Sequence, residues 1–299
     1  MSSPAAPVSV VVTTVDRPAS LARCLDALRG GTVAPAEIVV VDQGATPAPA
    51  LRPWPSVPIV HVRQEPLGLS AARNLGAARS RSPVVAVTDD DCVPASSWVH
   101  AIGATLARHP TASAVTGPVL PAQIVGAGRH AVSSRTSLAA RTYAGRVAPW
   151  VVGTGANFAV RREELLRVGG WDERLGAGSA GEAGEDVDLL YRLLAGGATI
   201  HYVPDALVRH ELQTRARKRA TRSSYGHGIG AFCGLRLRAR DSQGLVLLGC
   251  WLALRTRLAS KALVTANWAT ASDERLVVLG TFQGLRYAAT VSSPKDVRP

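Results

Sequence analysis

Apolar runs and helical-period segments alternate along the first third of the chain. Residues 8–12 form a run of β-branched and small side chains that stops at Thr13-Thr14, the pattern of a strand buried on both faces. Pro18 suits a first helical turn, and Leu21, Leu25 and Leu28 then recur at helical spacing up to Gly30-Gly31. Residues 37–41 predict a second strand, ending at Asp42, and a Pro-rich loop covers residues 46–58. Residues 59–62 predict a third strand and residues 69–78 a helix. Residues 84–87 predict a fourth strand, which runs directly into Thr88-Asp89-Asp90-Asp91.

Strands that alternate with helices make βαβ units, hence an α/β class with a mostly parallel sheet. Ligands of such sheets bind beyond the carboxyl ends of the strands. Thr13, Thr14, Asp16, Asp42 and Asp89 to Asp91 stand at such ends, so they are expected to converge on one crevice. The period loosens over residues 121–148, an irregular or partly helical excursion, and order returns at residues 151–160. A helix over 162–168 ends at Gly169-Gly170, and a Gly-rich loop follows over 171–183. Residues 186–194 carry Leu189, Leu190, Leu193 and Leu194 on helical spacing, an amphipathic helix closed by Gly196-Gly197. Short strands are expected at 199–203 and 206–208, and Arg-rich helices beyond Glu211. Residues 1–7 read as a disordered lead-in.

Charge divides the chain further. It has 34 basic and 22 acidic residues, a net charge of +12. Residues 1–208 carry 18 basic and 17 acidic side chains, whereas residues 209–299 carry 16 and 5, a net of +11. Such an asymmetry suits a module facing something anionic, either a phosphate-bearing ligand or a membrane surface. The basic run Arg215, Arg217, Lys218, Arg219 and Arg222 has no interleaved aromatics, which disfavours nucleic acid. Residues 245–254 are ten uncharged residues, half of the roughly twenty that a membrane span needs, and are expected to form a buried helix rather than an interfacial one. The four cysteines form no Cys-x-x-Cys pair and the chain opens without an apolar signal segment. A disulfide framework or zinc site is therefore not expected, and the cytoplasm is the expected compartment.

Two acidic clusters carry candidate chemistry. Three adjacent carboxylates repel one another, and a hard divalent cation such as Mn²⁺ or Mg²⁺ resolves the conflict at Asp89-Asp90-Asp91 better than a solvated turn does. Side chains alternate along an extended run, so Asp89 and Asp91 are expected to point the same way and Asp90 the other. The second cluster is Gly184-Glu185-Asp186-Val187-Asp188. Acids complement the dipole at a helix start, which accounts for Asp188; Glu185 or Asp186 is then placed to act as a general base on an acceptor hydroxyl. The leucine stripe puts Asp186 on the inward side of the helix and Glu185 at its edge.

Six segments in order resemble the family 2 glycosyltransferases over roughly residues 8–211. They are Val10 to Thr14 with Arg17-Pro18, Val40-Val41-Asp42, Gly68 to Gly76, the Asp89-to-Asp91 motif, Gly155-Ala156-Asn157 with Gly169 to Glu173, and Gly184 to Leu189. The resemblance implies a GT-A fold with a mostly parallel, Rossmann-like sheet flanked by helices. It implies a transferase domain over 8–211 and a helical, basic extension over 212–299. The implied reaction is inverting, metal-dependent transfer of a sugar from a nucleoside-diphosphate sugar to an acceptor hydroxyl, without processivity. Thr13, Asp42, Arg73, Asn74 and Asp89 would hold the donor, and Asp89, Asp91 and His210 would ligate Mn²⁺ or Mg²⁺. Asp186 would be the catalytic base, with Asn157, Trp171, Asp172 and Glu185 around the acceptor or sugar. The acceptor (small molecule, lipid-linked or glycan) is left open. Gln43-Gly44 departs from the second acid or Asn that relatives often carry after Asp42, and no Gln-x-x-Arg-Trp segment is present, which disfavours a processive synthase. A nucleotidyltransferase would show a Gly-rich, Lys- or Arg-bearing loop after the first strand, and Thr13 to Pro18 is not one. A non-catalytic sugar-nucleotide-binding module is the other alternative, and it would not need Asp186.

Overall fold

The computed structural model describes residues 5–48, 51–122 and 128–292. The chain divides into two compact units, one of residues 1–172 and 186–214, the other of residues 173–185 and 215–299.

The first unit opens with β1 (Val8–Thr14), α1 (Pro18–Arg29), β2 (Glu37–Asp42), β3 (Ile59–Arg63), α2 (Leu69–Arg79) and β4 (Val84–Asp89). It continues with β5 (Cys92–Pro94), α3 (Trp98–Arg108), β6 (Ala112–Thr116), β7 (Val119–Pro121), β8 (Arg129–His130), β9 (Arg141–Tyr143), β10 (Phe158–Arg161) and α4 (Arg162–Arg167). It closes with α5 (Glu185–Ala195) from Asp186 onward, β11 (Thr199–Tyr202), β12 (Val208–His210) and β13 (Gln213–Thr214). Eight of the described strands make one sheet in the order β3-β2-β1-β4-β10-β6-β11-β9. β1, β2, β3 and β4 run parallel, as do β6 and β11, while β10 and β9 run antiparallel to their neighbours. β1 and β2 are buried throughout and β4 up to Thr88, which reflects helices on both faces. Alternate residues of β1 separate accordingly. Val10 and Val12 join α1 and Trp98 of α3 in one core, whereas Val11 joins α2 and the leucines of α5 in another.

β5, β7 and β12 form a small second sheet, in which His210 pairs with Cys92. β5, α3 and β6 come from residues whose order was not read in the sequence, and β12 lies two residues beyond the expected strand. Its partners are short and distant in the chain, so the sequence carries little periodicity for it. Residues 123–127 of the loose stretch, and residues 1–4 of the lead-in, lie outside the described residues.

The second unit holds α6 (Arg215–Arg238), α7 (Gln243–Val264) and α8 (Trp268–Thr290) with the loop 173–185. α6 and α8 touch along glycines. A Cβ on Gly226 or Gly230 would lie 2.0 Å from the carbonyl oxygen of Val277 or Thr281, and one on Gly284 would lie 1.9 Å from that of His227. The loop rests on the same pair: Tyr287 Oη donates to the Arg174 carbonyl at 3.1 Å, and a Cβ on Gly228 would lie 2.3 Å from the Ala183 carbonyl carbon. α7 differs from its expectation. Leu247 and Trp251 are buried, but Leu245 and Val246 are exposed, because the helix has packing partners on one side only. No described helix is long and apolar enough to cross a membrane.

Candidate active site

Parallel register sets the first contacts. Thr13 stands beside Asp89 on the neighbouring strand, and Thr14 beside Asp42. The chain then turns at Asp90 and Asp91 between β4 and β5, so the acidic triplet is not the extended run that the alternation argument assumed. The turn nevertheless separates the three. Asp90 is fully buried and accepts a 2.7 Å hydrogen bond from Thr14 Oγ1. Burial pushes its carboxyl up to about 6, against the pull of Arg17 and Thr14. Asp89 and Asp91 instead meet Cys92 and His210, with one potential ligand atom from each lying within 4.8 Å of the others.

His210 arrives on β12, and its Nδ1 lies 3.0 Å from the Glu211 carbonyl, which fixes that nitrogen as the donor. Nε2 faces the cluster, 3.5 Å from Asp91 Oδ1. Two carboxylates and an imidazole suit a divalent cation such as Mn²⁺. The Cys92 thiol is held well above its ordinary pKa by burial and by the nearby Asp89 and Asp91 charges, so it enters the cluster neutral. Cys92 was not among the residues singled out in the sequence, since an isolated cysteine carries no spacing signal.

Arg17 is the cation that sits on this cluster. Its guanidinium lies 2.8 Å from Asp90 Oδ1 and 2.6 Å from Asp91 Oδ2. Burial works against that charge, and the carboxylates of Asp90, Asp91 and Asp89 outweigh it, so its pKa is raised. The positive charge marks this place as one that a cation stabilises.

A chain of hydrogen bonds leads from the cluster to α5. Arg73, nearly fully buried, donates from Nη2 to Asp89 Oδ1 at 2.9 Å and to the Gly155 carbonyl at 3.1 Å. The Gly155 amide donates to Asp186 Oδ2 at 2.9 Å, and Asp186 Oδ1 accepts from the Val187 amide at 2.7 Å. A Cβ at position 155 would lie 2.5 Å from Arg73 Nη1, so any larger residue there displaces the guanidinium. The face assignment on α5 needs correcting. Asp186 is half-buried and Glu185 is the more buried of the two, because the Asp186 carboxylate is drawn to the Gly155 amide and to the Val187 amide at the helix start. Asp188, read as a bland dipole partner, is fully buried and paired with Arg192 at 2.7 Å.

Other expected site residues serve the scaffold. Asn157 Nδ2 donates to the carbonyls of Pro118 and Ala206, and its Oδ1 accepts from Trp98 Nε1, so its amide ties three segments together. The Trp171 indole is in the core, edge-on to Phe158, rather than on a pocket wall. Asn74 grips the Trp171 backbone from both sides, at 2.8 and 2.9 Å, which ties its amide to this turn. Asp172 is half-buried. Asp42 accepts from the Gly44 and Ala48 amides and from Arg63. Burial would raise its pKa, and these donors lower it. A cavity of about 500 Å³ is lined by Arg23, Val93, Ala122, Arg129, Glu211 and Leu212, which include the chain neighbours of Cys92 and His210.

With this geometry in hand, the comparisons with known proteins agree. The model of a family described as "Glycosyl transferase family 2" matches residues 9–167. A "Pre-mycofactocin glycosyltransferase" of Mycobacterium tuberculosis is 29% identical over 239 residues, 77% of this chain and 48% of that protein. A "Glucosyl-dolichyl phosphate glucuronosyltransferase" of Haloferax volcanii is 26% identical over 194 residues, 56% of this chain and 57% of that protein. The chain thus spans about half the length of the curated relatives it matches. Among solved structures, a mannosyltransferase from Pyrobaculum calidifontis in complex with GDP-Man and Mn²⁺ superimposes with a TM-score of 0.64 at 20% identity, over 95% of this chain and 88% of that one. GalNAc-T7 with UDP, GalNAc and Mn²⁺ gives 0.53 at 18% identity, over 71% and 45%. These likenesses show the GT-A fold.

Proposed function

Because this chain belongs to glycosyl transferase family 2, we propose that it moves a sugar from a nucleoside-diphosphate sugar to an acceptor hydroxyl, with a divalent cation and with inversion at the sugar carbon. The observation that carries this reading is the convergence of Asp89, Asp91 and His210 within 4.8 Å, joined through Arg73 and Gly155 to Asp186. The cation is Mn²⁺ or Mg²⁺; the two solved relatives that hold Mn²⁺ beside GDP-Man or UDP support it. Bound at Asp89, Asp91 and His210, it supplies positive charge where negative charge develops on the departing diphosphate.

Asp186 is the general base. Two backbone amides aim its carboxylate and leave lone-pair capacity for an acceptor proton. It takes the hydroxyl proton as the acceptor oxygen attacks the anomeric carbon. The new carbon–oxygen bond forms on the face opposite the diphosphate, whose bond breaks and whose electron pair leaves with it. One displacement inverts the configuration. Arg73 holds Asp89 and the Gly155 turn in register, so the donor side and the acceptor side keep their spacing. Thr13 and Asp42, at adjoining strand ends, flank the nucleotide.

The test compares Asp186→Asn with Glu185→Gln. Asp186→Asn is expected to keep nucleotide affinity and fold while turnover falls ~10²–10⁴-fold, the usual loss for a general base. Near-normal turnover in Asp186→Asn, with Glu185→Gln inactive, would move the role to Glu185.

A further inference from the structure

The second unit shows an exposed surface that sugar transfer does not use. Trp268, Arg275, Leu279, Phe282 and Arg286 recur at steps of seven, four, three and four residues, which puts them on one stripe of α8. All five are exposed, with Trp268 at 69% and Phe282 at 50%. α7 has a matching outer face, on which Leu245, Val246, Arg257, Lys261 and Val264 are exposed. The turn between the helices ends in Leu263, Val264 and Trp268, and Val264 is 87% exposed. An indole and two branched aliphatics in water at a helix–helix turn have no folding explanation, since α7 and α8 already bury Leu247, Trp251 and Val277 elsewhere.

The charges on this surface have one sign. The acids between residues 215 and 292 are Asp241, Asp273 and Glu274, and none is exposed. Asp273 and Glu274 are buried against Lys218 and Arg255, at 2.9 and 3.2 Å. Along α7 and α8 the buried acids are thus paired inside, while Arg257, Lys261, Arg275 and Arg286 face outward.

We propose that the outer faces of α7 and α8 and the turn between them form a docking surface for the interface of an anionic phospholipid bilayer. Trp with flanking Arg and Lys is the side-chain set that partitions to the headgroup level, where the ring sits at the acyl boundary and the cations meet lipid phosphate. Neither helix is apolar enough to cross a membrane, so the surface lies on the bilayer, its apolar side chains entering by roughly 5–10 Å. A second copy of this chain fits the same face less well, because a two-fold contact would set an all-basic surface against itself. The proposal does not depend on the reaction catalysed, and its test reads no turnover.

The experiment floats the full chain with phosphatidylcholine vesicles that contain or lack phosphatidylglycerol. Binding is expected with phosphatidylglycerol at low salt, with a strong loss in its absence and a weakening as salt rises. Replacing Lys261 and Arg275 by Gln should lower vesicle affinity by roughly thirty-fold, the factor for two basic side chains near an anionic surface. Val264→Ser with Trp268→Ser should lower it on the order of ten-fold or more by removing the inserted apolar groups. Brominated acyl chains should quench tryptophan fluorescence in the wild type and not in Trp268→Phe. All these positions are exposed, so an unchanged unfolding transition controls for folding. No flotation at low salt with phosphatidylglycerol, or wild-type binding by the Val264/Trp268 variant, overturns the proposal. So does vesicle-free dimerisation that the same variant abolishes, which would give the face to a second copy.

Discussion

At the scale of single residues, the acidic triplet is one turn with two jobs. Asp90 is held inside by Thr14 and Arg17, whereas Asp89 and Asp91 open toward His210. Asp91→Asn should therefore weaken Mn²⁺ binding, measured by calorimetry without donor, far more than Asp90→Asn does. Equal losses would mean that the turn as a whole, and not the pair, makes the site. Arg17 competes for the same carboxylate, at 2.6 Å from Asp91 Oδ2. Arg17→Ala should raise Mn²⁺ affinity severalfold in that assay, and a weaker affinity would show that Arg17 supports the site rather than competing for it. Gly155 tests the link to Asp186. Gly155→Ala puts a Cβ 2.5 Å from Arg73 Nη1, an overpacking expected to cost ~1–3 kcal/mol of stability in a denaturant titration.

At the scale of elements, the glycines of the second unit have opposite uses. Gly284 lies where a Cβ would be 1.9 Å from the His227 carbonyl oxygen of α6, while Gly249 of α7 has open space around it. Gly284→Ala should therefore lower the unfolding midpoint through ~1–3 kcal/mol of overpacking. Gly249→Ala should raise it, since an exposed helical glycine costs ~0.5–1 kcal/mol relative to alanine. The same contrast shows what a sequence conveys. β1, β2, β4 and α1 were legible because each has an unbroken period and a polar or glycine stop. β5 and β12 were not, because three-residue strands owe their existence to partners far along the chain. The triplet and Asp186 were legible as dense negative charge at a strand end and at a helix start. Asn157 and Trp171 were drawn by the family pattern toward the acceptor, yet their side chains are fully engaged by scaffold contacts, a distinction that only neighbours in space reveal. Cys92 and the Arg17 pairing needed the turn at Asp90-Asp91 and the β5–β12 register, neither of which has a period to read.

At the scale of the whole molecule, charge and chemistry separate. Residues 209–299 hold nearly all of the net charge, while the candidate metal cluster, Arg73 and Asp186 lie in the first unit. The central claim is that this first unit uses a cation and Asp186 to release a sugar from a nucleoside diphosphate. It needs no knowledge of the acceptor to test, because water serves as a slow substitute for the acceptor hydroxyl. The most direct measurement is nucleoside-diphosphate release across the common nucleotide sugars, run with Mn²⁺, with excess chelator, and with Asp186→Asn. The account predicts release from at least one donor with Mn²⁺, and its loss both in chelator and in the variant. Release that continues at an unchanged rate in chelator, or in Asp186→Asn, would contradict it.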